Sequence, residues 1–364
     1  MTRRVFGRAR WIAVTGVMAA AVASTTGVGT AAADERSTDP IIFSNALLAE
    51  PVSANGSKIV SASIDGRNLT MQVYSAAMDK DIPVTVQRPK DASVPRPVLY
   101  LLNGAGGGTD SATWLEKTDV GDFLAEQDVN MVMPAGGRFA YYTDWKRDDP
   151  VLGRNKWRTF LLDELPPLVD AALGTDGVQA IAANSMTATA VLQLAIARPG
   201  FYSAVAGYSG CAQTSDPVGR AFVELVTETW GGGDVRNMYG EPDDPAWADN
   251  DPVVNAEGLR GSTLYISSGS GTPGPYDQFD DSATFEPTTE NIVKQVAVAN
   301  QIVLGGPIES AVNWCTHNLK NRLDELRIPA TFDFDPVGTH SWSYWQDAFY
   351  KSWPTLASGL GAGE

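Results

Sequence analysis

Histidine and cysteine are both scarce in this chain of 364 residues: there are two of each, His317 and His340, Cys211 and Cys315. A structural zinc site is not expected from so few ligands, since Cys315 and His317 stand too close together to supply more than half of one. No metal or cofactor is expected. Any chemistry that needs an imidazole base must draw on one of two residues. Positive charge is also short, with 27 lysines and arginines against 43 acids and a formal net charge of −16. Phosphate backbones and anionic lipid repel such a surface, which argues against nucleic acid as a partner. Long apolar runs are missing too. The longest, Trp11 to Ala23, falls below the ~20 residues a helix needs to span a bilayer, so no stable membrane insertion is expected of the processed chain.

That apolar stretch follows a basic start, Arg3, Arg4, Arg8 and Arg10, and precedes the small-residue run Ala31-Ala32-Ala33. The order reads as an export signal over residues 1–33, placing the protein outside the cell or in its envelope. Thr2-Arg3-Arg4-Val5-Phe6 resembles a twin-arginine signal, and the export route stays open. Residues 1–33 hold four arginines and no acid, so the remainder carries 23 basic against 43 acidic residues, a formal charge of −20. Residues 34–57 read as a flexible lead-in, 58–354 as one domain and 355–364 as a flexible tail.

Within the domain, alternation over 58–89 suggests paired antiparallel strands. Continuous apolar runs at 97–102, 129–133, 179–184, 204–208 and 264–267 read as strands covered on both faces, with a last strand at 330–334. Trp157 to Leu173 has helical spacing broken by Pro166-Pro167. Helix also follows Ser185 and surrounds His317. Alternating strands and helices imply a mainly parallel central sheet with helices on both sides. Two long excursions, 211–259 and 269–307, are rich in Gly, Pro, Asp and Trp and read as loops covering a site.

Chemistry concentrates at two places. Gln179-Ala180-Ile181-Ala182-Ala183-Asn184 runs as a buried strand into Ser185, and a helix follows. A serine on such a turn projects its hydroxyl from the sheet, and the Met186 amide at the helix start can donate to an oxyanion. His340 follows the last strand. Serine at a strand–helix joint with a histidine in a late loop is the α/β-hydrolase arrangement. The elbow departs from Gly-x-Ser-x-Gly in having Ala183 and Thr187. Asn103-Gly104-Ala105-Gly106-Gly107-Gly108 ends an earlier apolar strand, where a second oxyanion amide, assigned to Ala105, belongs. The third catalytic group lies between serine and histidine in chain order, and Asp277, Glu309, Asp324 and Glu325 all remain open.

With these residues in view, the chain resembles the mycolyltransferases of the antigen 85 family, in particular their corynebacterial-type relatives. The likeness runs from about Leu69 to Trp345. It is carried by Tyr100-Leu101-Leu102-Asn103-Gly104, Met133-Pro134-Ala135-Gly136-Gly137, Tyr142-Thr143-Asp144-Trp145, Ser185-Met186, Asn250-Asp251-Pro252 and Gly338-Thr339-His340-Ser341-Trp342. The resemblance implies Ser185 as nucleophile, His340 as base and Glu309, in Ile308-Glu309-Ser310-Ala311-Val312, as orienting acid. It implies the Ala105 and Met186 amides as oxyanion hole, with Asn103, Gly104, Gly106, Ser341 and Trp342 at the substrate. Two departures stand out: Asn103 replaces an aspartate that contacts trehalose, and Gly106 replaces an arginine.

The activity so implied moves a mycolate-type acyl chain from trehalose monomycolate to a sugar hydroxyl, with trehalose glycolipids as substrates and cell-wall arabinogalactan as a further acceptor. A secreted carboxylesterase with the same triad is the alternative, and a catalytically silent wall-associated binding protein is another. If Ser185 and Glu309 line one site, the segments bearing Cys211 and Cys315 are neighbours. A disulfide between them is then expected, closing a loop of about a hundred residues worth ~4–5 kcal/mol in the chain-entropy account.

Overall fold

The computed structural model describes residues 53–279 and 289–362. The expected export signal and most of the lead-in lie outside the described residues. The described residues build a nine-stranded sheet: β1 (Lys58–Asp65), β2 (Asn68–Ser75), β3 (Lys80–Gln87), β4 (Val98–Leu102), β5 (Asn130–Pro134), β6 (Gln179–Asn184), β7 (Ala204–Tyr208), β8 (Thr263–Ser268) and β9 (Thr331–Phe334). Their order is β1-β2-β3-β5-β4-β6-β7-β8-β9. The first four strands in this order pair antiparallel, and every pairing from β5–β4 to β8–β9 is parallel. A mainly parallel sheet results.

The continuous apolar runs become the centre of this sheet because both faces are covered. β4, β5, β6 and β7 are buried along their whole length. Strand alternation divides their side chains between two cores. Tyr100, Leu102, Ile181, Ala183 and Val205 face one side, and Leu99, Leu101, Ala180, Ala182, Ala204 and Ala206 face the other. Helix Met186–Ala197 packs closely enough on the first side that a Cβ on Gly210 would sit 2.6 Å from the Ala188 Cβ. Helix Trp342–Leu360 packs on the second, where a Cβ on Gly359 would meet the Ala204 Cβ at the same 2.6 Å.

Several expectations need correction. The tail expected from 355 onward is helix through Leu360, with Leu356, Ala357 and Leu360 buried, because those apolar contacts outweigh the missing amide of Pro354. The final residues of the expected lead-in are fastened: Ser53 and Ser57 are buried, and Asn55 donates to the buried Glu164 carboxylate at 2.5 Å. Pro166 and Pro167 do not break a helix but open one, Leu165–Leu173, in the first turn where an amide lacks an intrahelical partner anyway. The excursion at 211–259 is not loop alone; it contains the helices Pro217–Glu224, Val235–Met238 and Ala246–Asp249 and a π-helical turn, Leu225–Trp230. The described end of the second excursion is helical as well, Thr289–Asn300 and then a π-helical turn, Gln301–Gly305.

Candidate active site

At the C-terminal edge of the parallel strands, β6 ends at Asn184 and the chain turns into helix Met186–Ala197 through Ser185. Ser185 holds φ 59° and ψ −136°, a conformation that L-residues seldom adopt and that costs on the order of 1–3 kcal/mol. The surroundings enforce it: the Ser185 amide donates to the Tyr208 carbonyl at 2.8 Å, and the Ala188 amide donates to the Ser185 carbonyl at 2.9 Å. The side chain therefore stands clear of the sheet.

Two other segments converge on that hydroxyl. His340 follows β9, and its Nε2 lies 2.8 Å from Ser185 Oγ. Its Nδ1 lies 2.7 Å from Glu309 Oε2. Glu309 sits in the first turn of the long helix Gly306–Leu326 and is 1% exposed. Its other oxygen accepts from Ser209 Oγ at 2.6 Å and from the Gly269 amide at 2.7 Å. A carboxylate filled in this way only accepts, so the Nδ1 proton of His340 points to it and Nε2 is left as an acceptor facing Ser185 Oγ. The ring is further fixed edge-on against Trp345, with centroids 4.9 Å apart.

The structure thus distributes the acids that the sequence left open. Asp324 pairs with Lys320 and Glu325 with Arg322 on the exposed side of the helix. Asp277 is buried but binds Thr339 Oγ1 and Tyr344 Oη, each at 2.6 Å, and the Gly274 amide at 2.9 Å. Burial, and then the hydrogen bond to Asp277, push the Tyr344 phenol well above its ordinary pKa, so it stays a donor. Asp277 braces the histidine loop one residue before His340. His317 is exposed, stacks on Phe334 at 3.9 Å and meets the Asn313 carbonyl through Nδ1 at 2.9 Å.

Gly104 and Ala105 lie beside the elbow. A Cβ on Gly104 would stand 3.5 Å from the Ser185 Cβ. The Ala105 carbonyl accepts from the Phe139 amide at 2.8 Å, and the Gly136 amide donates to Gly107 at 2.7 Å. Gly107 needs to be glycine, because at φ 65° its Cβ would strike the Gly136 carbonyl at 2.2 Å. Met186 opens its helix, where its amide has no intrahelical acceptor.

The expected substrate-contacting side chains fare differently. Asn103 is 2% exposed and spends its Oδ1 on the Trp114 amide at 3.0 Å, so its side chain is structural. Trp342 turns into an aromatic cluster, edge-on to Trp114 at 5.4 Å and to Trp345 at 5.1 Å. Ser341 precedes that helix as a buried residue. At Gly106 the space a Cβ would fill belongs to Asp110, whose Oδ2 would lie 2.3 Å away.

What the sequence did not reveal is the apolar wall. A small, partly open pocket reaches Ser185 and His340 and is lined by Tyr141, Phe222, Val226, Trp230, Ile308 and Val312, among others. Burial holds the Tyr141 phenol neutral by pushing its pKa well up. Most of this wall comes from the 211–230 excursion and the start of the Glu309 helix, two segments that the Cys211–Cys315 disulfide joins with Cα atoms 5.0 Å apart. The Ser209 contact was equally unforeseen. Its only sequence signal is a small polar residue just past the end of a central strand, the edge where sheets of this kind gather their ligands.

Residues 75–356 match the Esterase family ("Putative esterase"). The chain is 30% identical over 303 residues to the diacylglycerol acyltransferase/mycolyltransferase Ag85B of Mycobacterium intracellulare, covering 80% of this chain and 83% of that protein. It is likewise 30% identical over 302 residues to Ag85A of Mycobacterium bovis, covering 80% and 81%. Among solved structures, MPT51 of Mycobacterium tuberculosis superposes with a TM-score of 0.62 at 22% identity, over 80% of this chain and 97% of that one. An S-formylglutathione hydrolase from Agrobacterium tumefaciens gives 0.59 at 16%, over 83% and 99%. These two share the α/β-hydrolase fold. The chain belongs to the esterase family that includes the antigen 85 diacylglycerol acyltransferases/mycolyltransferases.

Proposed function

We propose that this chain is a secreted serine acyltransferase that moves a mycolate-type acyl chain from a trehalose-linked donor to a second sugar hydroxyl. The observation that carries the reading is the unbroken hydrogen-bond chain Ser185 Oγ–His340–Glu309, at 2.8 and 2.7 Å. In the first half-reaction Ser185 Oγ attacks the ester carbonyl carbon while His340 Nε2 takes its proton. The negative charge that develops on the carbonyl oxygen is met by the Ala105 and Met186 amides. The bond to the sugar oxygen then breaks, and that oxygen leaves with the proton from His340. In the second half-reaction the acceptor hydroxyl gives its proton to His340 and attacks the seryl ester, and the proton returns to Ser185. Glu309 keeps the imidazole in one tautomer and offsets its charge in both halves. The apolar side chains that line the pocket beside Ser185 suit contact with an acyl chain.

A second reading, hydrolysis, draws on the family description, and it replaces the sugar hydroxyl with water while the residues keep their roles. The two differ in how the acyl-enzyme partitions. Incubation with trehalose monomycolate should give dimycolate in excess of free acid. Free acid alone makes the protein an esterase, and failure of Ser185 to react with a fluorophosphonate removes the catalytic reading altogether. Export is proposed from residues 1–33, and arabinogalactan is a further acceptor to test. No helix among the described residues is long and apolar enough to cross a membrane.

A further inference from the structure

The elbow departs from the expected small residue two positions after the nucleophile, and the structure gives the departure a use. Thr187 is completely buried in the first turn of helix Met186–Ala197. A helical threonine commonly returns its hydroxyl to the carbonyl four residues back. Thr316 does so in the Glu309 helix, donating to Val312 at 2.9 Å. Thr187 does not. Its Oγ1 reaches across to the neighbouring strand and donates to the Asn103 carbonyl at 2.6 Å.

That carbonyl belongs to the peptide that leads from β4 into Gly104 and Ala105. The Ala105 residue is then held on its far side by the bond from the Phe139 amide to its carbonyl, at 2.8 Å. The loop is thus pinned before and after Ala105. One of those pins is a side chain directly after Met186, the residue that offers the other amide. The Asn103 side chain adds to the anchoring through Trp114, so the carbonyl has little freedom to follow a displaced helix.

We propose that Thr187 is a positioning residue that sets the spacing of the Ala105 and Met186 amides around the developing oxyanion. The inference rests on the reading of Ser185 as nucleophile and of those two amides as its oxyanion hole. Donors of this kind act only over a narrow range of distance, so loosening one of them should weaken transition-state binding while leaving ground-state binding alone.

The test compares Thr187→Val, which keeps the shape and loses the hydroxyl, with Thr187→Ser, which keeps the hydroxyl. An activated ester serves as acyl donor, and a trifluoromethyl ketone serves as a mimic of the tetrahedral adduct. Thr187→Val should lower kcat roughly tenfold or more with KM nearly unchanged, and should weaken the ketone by a similar factor. Thr187→Ser should restore most of both. The inference is overturned if Thr187→Val keeps kcat and ketone affinity within about twofold of the parent, or if serine fails to rescue a loss. Should Thr187→Val not fold, Thr187→Ala against Thr187→Ser repeats the comparison without the bulk. Ser185→Ala is run alongside: ester turnover persisting there refutes the site itself, whereas a dead Ser185→Ala beside an unaffected Thr187→Val refutes the positioning alone.

Discussion

Ser209 donates its hydroxyl to Glu309 Oε1 at 2.6 Å from a backbone held at φ 55°, a conformation unusual for serine. The strain is sustained by the Ser209 amide, which donates to the Ser267 carbonyl at 2.8 Å. Glu309 comes from a distant helix and gains its orientation at β7 and β8, through Ser209 and Gly269. Both contacts fill the oxygen that does not face His340. Ser209→Ala should therefore lower turnover about tenfold while leaving fluorophosphonate able to reach Ser185, since a hydrogen bond to a buried carboxylate is worth ~1.5–3 kcal/mol. Steady-state kinetics on an activated ester measure it. Unchanged turnover would mean that the Gly269 amide alone holds the acid.

Ser185→Ala and His340→Ala should be nearly equivalent, because nucleophile and base act as a unit; each should lose on the order of 10⁴–10⁶ in turnover. His317→Ala should stay within about twofold, since an exposed stack on Phe334 touches none of the reacting groups. If His317→Ala matched His340→Ala in a folded protein, the base would be misassigned.

For the acid, Glu309→Gln should cost roughly 10²–10⁴ in turnover without unfolding the protein, as it keeps the shape but removes the charge that balances the imidazolium. Asp324→Asn and Glu325→Gln should be close to neutral in both activity and melting temperature, because each removes one exposed ion pair worth roughly 0–1 kcal/mol. Asp277→Asn should behave differently again. It leaves Thr339 and Tyr344 poorly bound and should lower thermal stability together with turnover. A melting temperature equal to the parent's would remove Asp277 from the bracing of the histidine loop.

The parts of this molecule that could be read in advance are those in which chemistry and local conformation coincide. The run from Gln179 to Asn184 is small, apolar and followed by a helix-forming stretch, so the position of Ser185 on a turn was implied by its neighbours. With two histidines in the chain, any imidazole base had to be one of two residues. Glu309 was not recoverable in that way: its neighbours Asp324 and Glu325 share its helix, and only burial distinguishes them. Asn103 and Trp342 mark a different limit. A matched motif carries a position but not a side-chain direction, and both side chains turn into the structure. Phe222, Val226 and Trp230 became a wall because of the path of an excursion whose local pattern carries no trace of where it leads. The tail expected from residue 355 is helical for a simpler reason, since tertiary contacts of Leu356 and Leu360 carry the helix past Pro354.

The Cys211–Cys315 bridge joins positions 104 residues apart, and the chain-entropy account gives a loop of that size ~4–5 kcal/mol. Its position matters as much as its energy. Cys315 is buried in the Glu309 helix six residues beyond the acid, and Cys211 follows the strand whose end carries Ser209. The Cys211 carbonyl also accepts from Thr189 in the elbow helix at 2.8 Å. Cys211 and Cys315 pack with Val312, and Phe222 and Ile308 of the cavity wall lean on the same cluster. Opening the bridge should therefore lower the melting temperature and, separately, loosen both Glu309 and the apolar wall. A Cys211→Ala/Cys315→Ala variant should show reduced kcat on short esters, where only the triad is at stake, and a larger loss in kcat/KM on long-chain esters, which also need the wall. Treatment of the parent with a reductant should reproduce both effects and leave the double variant unchanged. If the variant melts earlier yet turns over short and long esters as the parent does, the bridge serves stability alone and does not hold Glu309 in place.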